Sequence, residues 1–202
     1  MDRKQAILQA AIDLFAEHGF NSTSTAAVAK KAGVAEGLIF HYFKTKKKII
    51  THILHRMIDD YMQEIVPLTQ KASNGLGAIE TIIRHHFRFS QHRQKEFVVL
   101  VRDLPSELMH ATNADGQALS ERQGAYLTLM ENCIERGMHD GSIKATQAPE
   151  TAFIIHGMLD GMCRLTVKLG SRAPQTEQLE AQVIDFCRRS LAAEKQESRG
   201  KP

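Results

Sequence analysis

The chain has 202 residues, 43% hydrophobic and 24% charged, which suits a globular protein with one small module and one larger domain. Its net charge of +3 is unevenly placed, because residues 1–50 carry a net +4 and the remainder a net −1. Three widely spaced cysteines argue against a disulfide framework, and the absence of a signal-peptide core or a ~20-residue apolar run predicts a cytoplasmic protein with no membrane partner.

The first predicted helix covers about residues 3–18. Its apolar side chains recur at spacings of three and four residues and so form one face, which carries Ile7, Leu14 and Phe15. Gly19 follows directly and ends the helix. One apolar face on a helix of this length predicts packing against the elements that come next.

Residues 24–43 are the most informative stretch of the chain. They are typical of two short helices joined at Gly33, whose freedom to adopt a left-handed backbone lets the chain reverse. This is a helix-turn-helix, in which the second helix enters the DNA major groove. The side chains expected on its DNA-facing surface are Ser24, Thr25, Glu36, Gly37, Leu38, His41 and Tyr42.

A run of lysines opens the fourth predicted helix. Thr45 is a suitable N-cap, and Lys46, Lys47 and Lys48 fill the first turn, where a helix normally prefers acidic side chains. Cations become favourable there if a DNA phosphate docks on them and on the free backbone N–H groups. Lys46 and Lys47 are therefore predicted phosphate contacts, the alternative being a solvated charged face.

The fourth helix is predicted over residues 46–66 and to stop before Pro67. It would link a DNA-binding domain at 1–50 to a second domain at 51–193, followed by a disordered tail at 194–202. Five further helices are predicted over about 78–91, 94–104, 118–139, 149–169 and 176–193. The fold class is therefore all-α, with about nine helices and no sheet.

The first 60 or so residues resemble the N-terminal DNA-binding domain of the TetR family of bacterial transcriptional regulators. The residues that carry the resemblance are Ile7, 10–15, Gly19, Phe20, Thr23, Ser24, Val28, Ala29, 32–34, 37–43, Lys46, Ile49 and Ile50. The sequence departs from the family at Ala35, where Ser or Thr is frequent, and at Phe40, where Tyr is frequent. The resemblance implies a C-terminal domain that binds a ligand and forms a dimer.

A dimer interface is predicted on the last two helices. Gly157 and Gly161 lie four residues apart on one helix face and would let another backbone come close, either within one subunit or across a two-fold axis. The resemblance implies that the last two helices build a four-helix bundle between subunits. The predicted interface residues are Gly157, Gly161, Leu179, Val183 and Phe186.

The resemblance also implies a ligand cavity walled by helices four to eight. Deformable and aromatic side chains on these helices suit such a cavity, although each of them also suits an ordinary core. The predicted lining residues are Met57, Tyr61, His86, Phe89, Arg102, Tyr126, Met130 and Met158. Adjacent histidines at 85 and 86 point in different directions, so neither a metal site nor a cofactor is expected.

Together these features predict a homodimeric transcriptional regulator, most simply a repressor released from a near-palindromic operator by a small apolar effector. The alternative is a DNA-binding regulator without a small-molecule ligand, constitutive or controlled by a protein partner. No catalytic residues are assigned, because the sequence has no Gly-x-Ser-x-Gly, phosphate loop or paired metal motif, so an enzyme is not expected.

Overall fold

A computed structural model describes residues 2–103 and 113–193 of the chain. The predicted all-α fold is confirmed, and over these residues the only β pairing is an isolated bridge between Ile143 and Ala192. The predicted tail at 194–202 lies outside the described residues. In the described ranges, no helix has both the length and the apolarity that a membrane span needs. The helices are α1 (Arg3–His18), α2 (Thr25–Ala32), α3 (Glu36–Phe43), α4 (Lys46–Lys71), α5 (Gly75–His92), α6 (Gln94–Asp103), α7 (Ala114–Asp140), α8 (Ala148–Leu169) and α9 (Thr176–Leu191).

Helices α1, α2 and α3 contribute buried side chains to one continuous hydrophobic core. Phe15 and Ile39 are fully buried in it, and Phe43 is nearly so. Gly33 has φ +67° in the left-handed region, and its N–H donates to the carbonyl groups of Ala29 and Lys30. The turn between the two short helices therefore forms as the sequence predicts, with a glycine where an L side chain would be strained.

Helix α4 continues through Pro67 to Lys71, so the predicted end at Val66 is wrong. The extension is held from outside the helix. Arg136 of α7 donates to the carbonyls of Thr69 and Asn74 at 3.2 and 2.8 Å, and the Thr69 side chain is buried. These contacts offset the backbone hydrogen bond that a proline inside a helix cannot make.

Helix α5 crosses α7 at very short range. A Cβ added to Gly75 would lie 2.1 Å from the backbone nitrogen of Gly137, so only glycine fits at this crossing. The Gly75 N–H donates to the Asp140 carboxylate at 2.8 Å, which satisfies a free donor at the helix start. This contact fixes α5 at the centre of the second domain, where it also packs on α4 and α9.

Candidate nucleic-acid interface and ligand cavity

Helix α3 presents an open outer surface. A Cβ added to Gly37 would meet no atom within 4 Å, so the backbone here can come close to another molecule. His41 and Tyr42 are exposed, and their rings meet edge to face with centroids 5.3 Å apart. Leu38 is less free than the sequence suggests, because it is partly buried against the core. Gly37, His41 and Tyr42 therefore form the accessible part of the predicted reading surface.

Three other predicted DNA contacts already have partners inside the module. Ser24 caps α2 by accepting a hydrogen bond from the Ala27 N–H at 3.1 Å, which leaves its hydroxyl proton able to donate to a phosphate. Thr25 donates to the Glu36 carboxylate at 2.6 Å. A base contact by Glu36 would therefore compete with this bond between α2 and α3.

The structure gives Lys46 a different role from the predicted phosphate contact. Its ammonium donates to the carbonyls of Phe20 at 2.8 Å and Thr23 at 3.0 Å, and it lies 4.4 Å from the centre of the Phe20 ring. The ammonium also reaches the carbonyl of Asn21 at 3.5 Å. Since an ammonium has three protons, the prediction is revised: Lys46 ties the start of α4 to the loop between α1 and α2.

The turn before α4 holds a second lysine in an unusual conformation. Lys44 has φ +64° and ψ −42°, and the Thr45 N–H donates to the carbonyl of Phe43 at 2.7 Å across it, which is a strained γ-turn. The N-cap predicted for Thr45 is present, since its hydroxyl accepts from the Lys48 N–H. Lys44 and Lys47 are exposed at this corner. Sequence reasoning passed over Lys44 because the pattern gave no sign of its backbone conformation.

Six of the predicted lining residues are buried between α4, α5 and α7, where several of them pack on one another. The hydroxyls of Tyr61 and Tyr126 lie 3.1 Å apart, and His86 Nε2 lies 3.1 Å from Cys163 Sγ. Burial raises the pKa of both phenols and lowers the pKa of His86 to about 4. At neutral pH this is therefore an uncharged polar cluster. The six residues are Met57, Tyr61, His86, Phe89, Tyr126 and Met130.

The remaining two predicted lining residues lie elsewhere. Arg102 of α6 donates to the carbonyls of Phe15 and Ala16 at the end of α1, so it binds the DNA-binding module. Met158 lines an outer groove between α8 and α9. Residue type and predicted helix do not decide such a placement, because the face that each side chain occupies depends on packing between distant helices.

A cavity of about 360 Å³ lies between α5, α6 and α8. Cys163 joins it to the polar cluster, because this side chain lines the cavity and also contacts His86. The predicted lining set does not contain these residues, although those on α5 and α6 recur every three to four positions. The lining residues are Phe87, Ser90, Gln91, Gln94, Phe97, Val98, Cys163, Thr166, Val167, Gly170 and Thr176.

Helices α8 and α9 leave a large apolar surface uncovered, called here the α8–α9 face. A Cβ added to Gly157 or Gly161 would meet no atom within 4 Å, so neither glycine packs on a helix of its own subunit. A groove of about 370 Å³ on this face is lined by Met162, Leu179 and Phe186 among others. Val183 of the predicted set is buried at its base. The large exposed apolar residues here are Phe153, Ile154, Leu165, Leu169 and Phe186.

Comparison with known protein families divides the chain into the same two parts, the DNA-binding module and the second domain. Residues 7–53 match the model of the bacterial regulatory proteins of the tetR family, and residues 77–191 match that of the tetracyclin repressor-like C-terminal domain. The fatty acid metabolism regulator protein of Bacillus subtilis is 23% identical over 138 residues, which are 68% of this chain and 69% of that protein.

Solved structures show the same fold. The transcriptional regulator FadR of Bacillus subtilis, in complex with stearoyl-CoA, superposes with a TM-score of 0.79 at 21% identity and covers 92% of this chain and 98% of its own. AibR, in complex with isovaleryl coenzyme A and operator DNA, has a TM-score of 0.73 at 18% identity and covers 92% and 97%. At these identities the likeness concerns the arrangement of the helices.

Proposed function

Because the chain belongs to the tetR family of bacterial regulatory proteins, we propose that it is a homodimeric repressor that a small, mainly apolar effector releases from its operator. Membership of this family supports DNA binding. The dimer, the effector and the sign of regulation are the further steps, and each rests on a separate feature of the second domain.

The open surface of α3 supports sequence-specific DNA binding. Gly37 permits close approach, while His41 and Tyr42 can reach a base edge and a phosphate. Replacing Gly37 with Val should abolish operator binding and leave the helical signal intact, since the new side chain enters open space. Gly124→Val is the matched control, because Gly124 is also exposed, helical and without neighbours within 4 Å. Equal loss of DNA binding in both variants would contradict this assignment.

A second copy of the chain is the occupant proposed for the α8–α9 face. Its exposed Phe and Leu side chains form an apolar patch of the kind that monomeric proteins rarely leave open. A two-fold axis through this face would place the same patch on both subunits. It would also set two copies of α3 against successive major grooves, which predicts a near-palindromic operator.

A fatty acyl thioester is the effector class that we propose. Two structural relatives are complexes with stearoyl-CoA and isovaleryl coenzyme A. In this chain the cavity between α5, α6 and α8 offers Phe87, Phe97 and Val167 to an acyl chain. Each methylene that enters should improve binding by about 0.8 kcal/mol, or about fourfold, until the cavity is full. A series of acyl thioesters of rising length should therefore show a steep gain in affinity followed by a plateau.

Helix α6 supports a direct route from cavity to DNA-binding module. Its residues Gln94, Phe97 and Val98 line the cavity. Its Lys95 pairs with Asp13 of α1, and its Arg102 donates to the last carbonyls of α1. An acyl chain that displaces α6 would therefore move α1, in addition to any movement through α4. The effector releases DNA only if it binds the displaced form more tightly.

The alternative, a regulator without a small-molecule ligand, predicts no dependence on acyl length. The cavity disfavours it. Release of DNA by acyl thioesters from the unaltered chain separates the two ideas. A Lys95→Met and Arg102→Met double variant then tests the route through α6, because DNA binding should survive while release by the thioester is lost. Release that is unchanged in this variant would contradict the route through α6.

A further inference from the structure

A groove of about 340 Å³ opens where α1, α4 and α7 meet. Basic side chains from all three helices line it, and a single carboxylate, that of Asp59, accompanies them. We call it the cationic groove. Its lining residues are Lys4, Gln5, Leu8, His52, His55, Arg56, Asp59 and Arg122.

The carboxylate of the cationic groove is already engaged. Arg122 holds Asp59 with two hydrogen bonds, at 2.8 and 3.2 Å. Lys4 makes no ion pair among the described residues and lies 5.9 Å from the centre of the Phe43 ring. Nε2 of His55 is buried and has no hydrogen-bond partner within residues 2–103 and 113–193. Arg56 donates to the Gln5 side chain and lies 3.7 Å from the Asp60 carboxylate, so Lys4 is the lysine or arginine of the groove that the ion pairs of the described residues leave without a carboxylate.

The electrostatics of the two histidines describe their charge state. Burial lowers the pKa of His52 and His55, and Lys4 and Arg122 lower it further for His52 and His55 respectively, while Asp115 and Asp59 partly oppose the change at His55. Both imidazoles are therefore shifted toward the neutral form, and Lys4 carries the unpaired charge of the groove. A buried imidazole nitrogen without a partner, close to a lysine without a carboxylate, is a place that an anion can stabilise.

We propose that the cationic groove binds a small phosphate-bearing anion. Lysine, arginine and histidine donors that converge from three helices suit a ligand with several acceptor oxygens, as a phosphate or diphosphate has. The groove runs inward from the edge of the expected DNA surface: Lys4 and His52 lie beside Phe43 at the end of α3, while His55 lies about 13 Å along α4 from Lys46, the first residue of the helix. Arg122 belongs to α7 of the second domain.

An anion bound in the cationic groove would link two parts of the protein. It would join Lys4 of α1 to Arg122 of α7, and so fasten the DNA-binding module to the body of the protein. The proposal goes beyond the effector mechanism, because it needs neither the acyl cavity nor the dimer. It predicts a second input to the position of α1.

Titration calorimetry of the full chain with inorganic pyrophosphate, in the absence of DNA, tests the proposal. One site per chain is expected. Lys4→Gln and His55→Gln should each weaken binding at least tenfold, while Lys71→Gln removes a charge from the far end of α4 and should change nothing. Circular dichroism spectra and melting temperatures of the variants establish that they fold.

Three results would overturn the proposal: no binding of pyrophosphate, binding that the variants leave unchanged, or weaker DNA binding in the variants without any pyrophosphate site. The last result would make the groove part of the DNA surface.

If pyrophosphate binds, an acyl-CoA added to the loaded protein distinguishes two sources of the phosphate. Displacement points to the nucleotide end of the thioester, and joint binding points to a separate phosphorylated metabolite. Since no DNA or effector enters the first titration, its outcome is independent of the proposed repressor function.

Discussion

Removing the ring of Phe186 should separate the proposed dimer. Phe186 projects from α9 on the α8–α9 face and is 55% exposed in the single chain. A phenylalanine side chain buries 150–250 Å² when covered, so a partner subunit would take about 110 Å² of this ring out of water. At about 25 cal/mol per Å², each ring contributes about 3 kcal/mol, and a two-fold interface contains the ring twice.

Phe186→Ala should therefore raise the dimer dissociation constant at least 100-fold. The upper bound is about 5 kcal/mol, which applies if the interface does not adjust to the loss of the two rings. Sedimentation equilibrium measures the dissociation constant directly. Phe40→Ala is the control, because Phe40 is 46% exposed on α3 and lies away from the α8–α9 face. An unchanged dissociation constant in Phe186→Ala, or an equal change in Phe40→Ala, would refute the placement of the interface.

Three further expectations follow from individual contacts. Lys46→Met should lower the free energy of unfolding by about 2 kcal/mol in denaturant titration, since it loses hydrogen bonds from a charged donor. Lys47→Met should lower the salt slope of DNA binding by about one, and a lower slope in Lys46→Met alone would restore Lys46 as the phosphate contact. Val98→Trp should obstruct the cavity and block the response to acyl thioesters while DNA binding persists, and a variant that still responds would move the effector site elsewhere. The pKa of His86 is about 4 in the folded chain and 6.5 in the unfolded chain, so the unfolded chain takes up the proton first as the pH falls. The free energy of unfolding should therefore drop by about 3 kcal/mol between pH 6.5 and pH 4. Melting curves of His86→Phe over this pH range should lack this part of the drop, and curves parallel to those of the unaltered chain would contradict it.

The DNA-binding module could be predicted because its signals are local. Gly33 marks the turn, Thr45 marks the cap of α4, and apolar spacing sets the faces of α1 and α3. The role of Lys46 could not be predicted in this way. Its carbonyl partners lie 23 to 26 residues earlier in the chain, so only the folded module brings them together.

In the second domain, the residues that line the cavity could not be predicted for the same reason, because they come together only in the folded chain. Apolar periodicity predicts that α5 is buried, and it does not say which side of α5 faces an open space. That choice depends on how α6 and α8 pack, which places Phe87 at a cavity and Phe89 against Tyr61. The extension of α4 past Pro67 depends on Arg136, a residue that the local sequence pattern does not contain.

The central claim is that an acyl thioester releases this chain from a specific DNA site. Fluorescence anisotropy tests it most directly, with a duplex selected by the purified protein from a random pool and titrated in the presence of a long-chain acyl-CoA or of free coenzyme A. We predict a near-palindromic selected sequence, and a dissociation constant for DNA that rises at least tenfold with the thioester and stays unchanged with coenzyme A alone. Failure to select any sequence would contradict the assigned DNA surface, and a DNA affinity that acyl-CoA leaves unchanged would contradict effector release.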